Sequence, residues 1–151
     1  TGNEMSKRVA VYAENQGAKI LCISAQIEAE VSQLENEVEK AEFLETMGLK
    51  ETGLDRLIRA GYSLLNLITY FTAGPNEARA WTLVHGTKAL RAAGRIHTDF
   101  ERGFICAETI SFADYNNLGG EQAAKVAGRM RQEGSEYAIQ EGDVILYRFN
   151  V

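Results

Sequence analysis

The first 65 residues carry apolar side chains at helical spacing. Met5, Val9 and Tyr12 recur at intervals of three or four positions, which is typical of one face of an amphipathic helix. Similar apolar stripes come later in the segment, and we interpret the glutamates between them as solvated helix faces. The helices predicted in this way lie within residues 3–16, 28–47 and 54–66.

Residues 18–25 interrupt the helical pattern with an unbroken apolar run. A run without alternation favours a strand covered on both faces, as in a parallel sheet. A parallel strand needs neighbours for its backbone groups, and no second run of this kind precedes residue 69. We therefore expect the partner strands upstream of Thr1, in a longer polypeptide of which this chain is a piece.

The pattern changes beyond residue 66, where β-branched and aromatic residues alternate with turn signals. The predicted order is strand, strand, helix, strand, helix and a final strand pair, which is the order of the β-grasp (ubiquitin-like) fold. Thr87 is expected to cap the first of these helices, and Gly134 to end the second. We predict an α+β protein. The predicted segments of this second part are residues 68–74, 78–84, 88–102, 104–112, 119–134, 137–139 and 144–149.

Composition narrows the function classes. The formal net charge of −5 excludes a uniformly basic nucleic-acid binder, although it leaves room for a local basic face. No apolar run approaches the ~20 residues that span a bilayer, so no membrane partner is expected. Cys22 and Cys106 offer neither a disulfide framework nor a ligand cluster, which predicts a reducing, cytoplasmic location.

Catalytic chemistry is sparse in this sequence. It contains no Gly-x-x-x-x-Gly-Lys-Ser/Thr, so the chain itself is expected not to hydrolyse a nucleotide. His97 and Asp99 form a His-x-Asp pattern suited to metal binding or proton transfer, but no third ligand or nucleophile accompanies them at a recognisable spacing. We predict no catalytic or metal site, a turn-stabilising role for Asp99 and a partner-facing role for His97.

Basic residues surround this turn. If they share one face with His97, they would contact RNA phosphates, and each contact would make the affinity fall with salt. The alternative is an ordinary solvated helix surface, with the nearby Asp99 and Glu101 diluting the field. The candidate RNA contacts are Lys88, Arg91, Arg95, His97 and Arg102.

The segment Arg95-Ile96-His97-Thr98-Asp99-Phe100 resembles the signature turn of TGS domains, which occur in threonyl-tRNA synthetases, GTPases and stringent-response synthetases. Together with residues 69–74, 78–82, 107–112, 142–144 and 149–151, it resembles the C-terminal end of the YchF/Obg-like ATPase family of P-loop GTPases. Residues 17–30 and 41–60 resemble the segment that joins the nucleotide-binding domain to TGS in the same proteins.

The resemblance implies two domains. Residues 1–65 would be the end of the nucleotide-binding domain with a linker helix, and residues 66–149 a TGS domain. In P-loop GTPases a Ser-Ala pair at this point touches the nucleotide base through backbone groups, which implies the same for Ser24 and Ala25. From the residues alone, a capped strand end is an equal alternative. The resemblance also implies that ATP or GTP with Mg²⁺ is bound and hydrolysed upstream, with no cofactor in this chain.

Two functions of different class remain. The resemblance implies an RNA- or ribosome-contacting regulatory module, because in stringent-response synthetases the similar turn lies near the tRNA acceptor end. The alternative is a β-grasp module that binds a protein partner through its sheet. Its candidate anchors are the aromatic residues Tyr70, Trp81 and Tyr147, unless these belong to the core.

Overall fold

The structure, a computed structural model, describes residues 3–74 and 77–150. The chain divides into two units, Thr1–Leu64 and Leu65–Val151. The first unit is helical, with short polar side chains at its helix starts. Asn3, Ser24 and Asn36 each accept a backbone N–H of the turn that comes next. Its helices are α1 (Glu4–Asn15), α2 (Ala25–Ser32), α3 (Glu37–Thr46) and α4 (Gly53–Leu64).

The start of α4 is held by a side chain from α2. The Glu28 carboxylate accepts the backbone N–H groups of Gly53 at 2.7 Å and of Leu54 at 3.2 Å. This satisfies two of the N–H groups that a helix start leaves unpaired, and it places negative charge at the positive end of the helix dipole. A Cβ on Gly53 would lie 2.7 Å from Glu28 Oε1, so the close approach requires glycine.

The strand predicted for residues 18–25 is not formed. Residues 18–24 belong to no helix or strand, and Ala25 already begins α2. The physical reason is the one that made this strand unusual in the sequence: an extended segment becomes a sheet strand only when neighbouring backbones accept and donate its hydrogen bonds. In the described part of the first unit no strand is available to do so.

The second unit is built around one five-stranded sheet in the order β2-β1-β5-β3-β4. β1 and β5 are parallel at Phe71 and Val144, and the other neighbours are antiparallel. This is the β-grasp arrangement, and the predicted α+β fold is confirmed. The elements are β1 (Leu67–Ala73), β2 (Ala78–Val84), α5 (Ala89–Ile96), α6 (Thr98–Arg102), β3 (Phe104–Ser111), α7 (Phe112–Leu118), α8 (Glu121–Val126), β4 (Arg131–Glu133) and β5 (Asp143–Phe149).

The predicted turn over residues 74–77 lies partly outside the described residues, since these leave out 75 and 76. Its two ends are described. The Gly74 N–H donates to the Glu77 carbonyl at 2.9 Å, which continues the hydrogen-bond ladder of β1 and β2 to the end of the hairpin.

The core lies between the sheet and α5. Ala89, Ala92 and Ala93 have no exposed surface and bring the helix backbone close to the strands. The Tyr70 hydroxyl crosses this contact and donates to the Ala92 carbonyl at 3.3 Å. The largest side chains of the same cluster are Ile68, Tyr70, Leu83, Ile139, Ile145 and Tyr147. Their removal from water supplies the main driving force for this unit.

The second helix predicted for this unit is too long, and the segment after it is a strand. The apolar stripe predicted a helix as far as Gly134, but α8 ends at Val126. Gly128 comes next with φ of +69°, and the Arg129 N–H bonds back to the Ala124 carbonyl, as at a glycine-terminated helix end. The chain then enters β4, which pairs with β3. The helix α7 was not predicted.

The pairing predicted between residues 137–139 and the last strand is also wrong. Ala138 instead bridges Lys88, with the Ala89 N–H donating to the Tyr137 carbonyl at 2.8 Å. The residue at the cap position, Lys88, has no side-chain acceptor, so the Tyr137 carbonyl and not a side chain takes the first N–H of α5. The Thr87 hydroxyl, predicted to be the cap, donates to the Val84 carbonyl at 2.6 Å.

Gly103 joins α6 to β3 at a point of close backbone contact. A Cβ there would overlap the backbone of Asn150, which donates to the Gly103 carbonyl at 2.9 Å. We expect Gly103→Ala to lower the free energy of unfolding by about 1–3 kcal/mol, because backbone cannot move aside as a flexible side chain can. Urea unfolding followed by fluorescence of Trp81, the single tryptophan, measures it. Gly134→Ala is the matched control, since its Cβ would meet nothing within 4 Å, and equal losses in both variants would contradict the prediction.

Three tyrosines make the second unit sensitive to alkaline pH, and among them burial raises the pKa of Tyr147 furthest above its usual range. Burial raises the pKa of Tyr70 to about 12, and burial with the hydrogen bond to Asp143 raises the pKa of Tyr137 to about 12. An unfolded tyrosine titrates near pH ~10. Stability is therefore full below that pH and falls as the pH rises toward 12, because the unfolded chain loses these protons first. The measurement is the urea midpoint at ~1-unit steps between pH 8 and 11. We expect this midpoint to fall less steeply with rising pH in Tyr137→Phe than in a control variant that changes the exposed Tyr12.

Candidate nucleic-acid interface

The polar face of α5 carries three of the predicted RNA contacts. Lys88 immediately precedes the helix, and Arg91 and Arg95 lie one and two turns later on the same side. All three line an open groove of about 590 Å³. The groove is completed by Gly86, Thr87, Gly94 and Glu101. Three cations on a shallow surface next to backbone are suited to phosphate oxygens.

A carboxylate from α6 enters this groove. Glu101 Oε1 accepts from Arg91 Nη1 at 2.9 Å, with the arginine side chain 77% exposed and the glutamate 34%. A Cβ on Gly94 would lie 2.5 Å from Glu101 Oε2, so the carboxylate occupies a notch that only glycine leaves open. The Phe100 ring anchors α6 from below: it stacks on the Phe149 ring, with the two ring centroids 4.0 Å apart. The position of Glu101 is thus set by packing.

His97 ends α5 and caps α6. Its Nδ1 accepts the Asp99 backbone N–H at 3.2 Å, and Asp99 Oδ2 lies 3.5 Å from the same nitrogen. An imidazole whose Nδ1 accepts a hydrogen bond carries its proton on Nε2, which is then a donor on a side chain that is 60% exposed. Asp99 contributes to the turn through its backbone N–H, which donates to the His97 side chain. His97 does not line the groove of α5.

Arg102 is placed apart from the other candidates. It is the last residue of α6, it is exposed, and it does not line the groove. The structure therefore brings together Lys88, Arg91 and Arg95, leaves His97 at the turn beyond them, and separates Arg102. The sequence analysis named Glu101 only as a charge that dilutes the field, and it did not single out Gly94.

Ser24 and Ala25 lie at the start of α2. The Ser24 hydroxyl oxygen accepts the Ile27 N–H at 3.4 Å, so Ser24 caps the start of a helix and not the strand end that the alternative supposed. Both the loop before them and α4 border a small pocket of about 190 Å³. There the Arg56 guanidinium donates to the Cys22 carbonyl at 3.3 Å. This bond ties the loop to α4. The nucleotide contact of Ser24 and Ala25 stays a prediction.

The aromatic anchors proposed for a protein partner are mostly core residues. Tyr70 has no exposed surface and Tyr147 is 6% exposed, so neither can reach a partner. Trp81 is half-buried; its Nε1 donates to Thr72 at 3.0 Å, and the Arg79 guanidinium lies 4.2 Å above its ring. The prediction of three exposed anchors is wrong, because the alternation that marks these strands also points these side chains to the helix-covered face.

Other kinds of site find no support in the described residues. Within residues 3–74 and 77–150, no three His, Cys, Asp or Glu side chains converge as metal ligands would. A search of the same residues finds no helix with the length and hydropathy that crossing a membrane requires.

The mixed sheet crossed by α5, with cations on the outer face of that helix, defines the second unit as a β-grasp domain with a basic groove. Residues 67–150 match the family model YchF-GTPase_C, which is described as "Protein of unknown function (DUF933)". The chain belongs to this YchF GTPase C-terminal family.

Curated relatives are similar along nearly all of this chain. It is 53% identical over 151 residues to the ribosome-binding ATPase YchF of Bacillus subtilis (strain 168), covering 100% of this chain and 41% of the relative. It is 51% identical over 149 residues to the protein of that name in Escherichia coli O157:H7, covering 99% and 41%. Obg-like ATPase 1 of Danio rerio is 45% identical over 140 residues, covering 93% and 35%. The chain thus spans about two-fifths of the length of these relatives.

A solved structure agrees with this assignment. The Schizosaccharomyces pombe YchF GTPase superimposes with a TM-score of 0.84 at 33% identity, over 97% of this chain and 39% of that one. A GTP-binding protein from Pyrococcus horikoshii OT3 shares the fold, with a TM-score of 0.67 at 19% identity. The match covers 99% of this chain and 43% of that one. The predicted membership of the YchF/Obg-like ATPases, as a C-terminal part, is confirmed.

The cap formed by His97 can be tested by substitution. We expect His97→Ala to destabilise the second unit by about 0.5–2 kcal/mol, because the Asp99 N–H loses its acceptor. His97→Asn should recover most of this, since asparagine is a strong helix cap. Urea unfolding monitored at Trp81 measures both. An asparagine variant no more stable than the alanine variant would show that the imidazole acts through something other than capping.

Proposed function

We propose that this chain is the RNA- or ribosome-contacting regulatory part of a YchF-like ATPase, and that the groove of α5 makes the contact. The observation that carries the proposal is the alignment of Lys88, Arg91 and Arg95 along one groove on the outer face of a helix whose other face is buried. Each cation that meets a phosphate releases a counterion, so even a small basic surface binds RNA in a salt-dependent way.

The names of the relatives support the ribosome as the partner. The proteins of Bacillus subtilis and Escherichia coli O157:H7 are both called ribosome-binding ATPase YchF. Ribosomes expose RNA phosphates over much of their surface, which suits a contact of few charges and no apolar anchor. The exposed imidazole of His97 adds an N–H donor at the turn beyond the cations. Because ribosomes are in the cytoplasm, a ribosome-binding role implies a cytoplasmic protein.

The first unit is proposed to complete a nucleotide-binding domain that lies outside these residues. Many large apolar side chains of α1 and α4 are exposed, among them Met5, Val9, Tyr12, Leu57 and Ile58, and a further domain would cover them. ATP or GTP with Mg²⁺ would be bound and hydrolysed in that domain, since this sequence has no phosphate-binding loop. Ser24 and Ala25 would contribute only backbone contacts to the base.

Regulation is proposed to run through α4. This helix is tied to the loop of Ser24 by the bond from Arg56 to the Cys22 carbonyl and to α2 by Glu28. It ends at Leu64, and β1 begins at Leu67, so α4 is also the covalent connection to the β-grasp unit. A nucleotide that moves the loop would therefore act on the helix that leads to the RNA-contacting unit.

The structure offers little support for the alternative, a protein-interaction module. Two of its three anchors are buried, and the third is stacked beneath Arg79. A protein partner would have to use the remaining exposed surface, and its binding would depend little on salt because few charges would be neutralised.

Binding of this chain to transfer or ribosomal RNA, measured by fluorescence anisotropy at several salt concentrations, tests the proposal. We expect Arg91→Ala/Arg95→Ala to weaken binding and to reduce the magnitude of the slope of log affinity against log salt by about 1–2, because two phosphate contacts are lost.

The matched control is Arg8→Ala/Arg129→Ala, which removes the same charge from exposed positions outside the groove. It should keep nearly the full affinity and slope. Equal losses in the two double variants would mean that net charge, rather than the groove, governs binding. A salt-insensitive protein pull-down that is abolished by changing an exposed aromatic residue would instead favour the protein-partner alternative.

A further inference from the structure

The groove of α5 contains one charge of the wrong sign for an RNA-binding surface. Lys88, Arg91 and Arg95 attract phosphates, whereas Glu101 repels them. A carboxylate on the rim of a groove would simply be a solvated neighbour. Glu101 is inside it, bonded to Arg91 at 2.9 Å and only 34% exposed.

The two carboxylate oxygens lie where the oxygens of a phosphate could also lie. One oxygen accepts from the Arg91 guanidinium, and the other lies over the Cα of Gly94, where a Cβ would come within 2.5 Å. Phosphate oxygens likewise accept hydrogen bonds from arginine guanidinium groups and approach the backbone closely where glycine lacks a Cβ. The Arg91 side chain of this ion pair is 77% exposed, so water screens the pair and leaves it weak enough to be exchanged.

We propose that Arg91 and Gly94 form a phosphate subsite, which the Glu101 carboxylate occupies until a phosphodiester of RNA displaces it. The inference rests on the proposed function and adds its regulation: Glu101 is an internal competitor that sets the affinity of the groove. A displaced Glu101 leaves three cations facing the RNA with no carboxylate between them.

Two variants remove the competitor by different routes. Glu101→Gln deletes its charge. Gly94→Ala keeps the charge but places a Cβ where the carboxylate lies, and the end of a glutamate side chain can move aside. Alanine also favours the helix over glycine, so α5 should not be weakened. The control is Glu77→Gln, which neutralises an exposed carboxylate outside the groove.

RNA affinity is measured by anisotropy at fixed salt. We expect Glu101→Gln and Gly94→Ala to bind about two- to fivefold more tightly than the parent chain, and Glu77→Gln to change affinity by much less. In the Arg91→Ala background, Glu101→Gln should give no further gain beyond that of the control, because the side chain for which it competes is absent. Equal gains for Glu101→Gln and Glu77→Gln would overturn the competitor role.

A second readout separates this inference from the proposed function. Inorganic phosphate, titrated into the chain and followed by amide NMR shifts, should move the Arg91 and Gly94 signals at lower concentration in Glu101→Gln than in the parent. If RNA binding requires Arg91 and Arg95 but neither readout responds to Glu101→Gln, the subsite fails and the RNA proposal stands. If phosphate shifts those signals while RNA does not bind, the subsite stands and the RNA proposal fails.

Discussion

Close packing of α5 against the sheet fixes the rest of the second unit. Ala89, Ala92 and Ala93 are fully buried, and the Tyr70 hydroxyl bonds to a carbonyl of the same helix. Rotation of α5 about its axis would expose these alanines and drive cations toward the core, which costs far more than any surface contact returns. The alignment of positive charge on the outer face is therefore a consequence of the core. The geometry of the groove thus depends on residues that do not line it.

Periodicity in the sequence predicted the long elements and failed where a segment's state depends on its neighbours. β1, β2, β3 and β5 each carry enough alternation to be recognised alone, whereas the single helix predicted over residues 88–102 is two helices, α5 and α6, divided at His97. Residues 131–133 have no pattern of their own and are a strand only because β3 pairs with them. The prediction for residues 18–24 is wrong for the opposite reason. Their apolar run has the composition of a strand, but no strand of the described first unit pairs with it. Gly128 ends α8 although the apolar stripe continues to Met130.

The candidate site was predicted by charge and could not be predicted in detail. Lys88, Arg91 and Arg95 share a face because helical spacing requires it, and the sequence shows that spacing. Glu101 enters the groove only because a second short helix, α6, turns back on α5. The space that its carboxylate occupies exists because Gly94 has no Cβ, which only the structure shows. A sequence in which acidic and basic residues simply mix near a turn gives no sign of which pairs meet.

The sheet order has a consequence for how the chain is made. β5 lies between β1 and β3, although it is the last of these five strands in the chain. During translation the first hairpin and β3 leave the ribosome with no shared neighbour, and the pairing of Phe71 with Val144 closes a long loop in one late step. A premature stop codon before Asp143 would therefore leave two separate sheet fragments, rather than a slightly shorter domain.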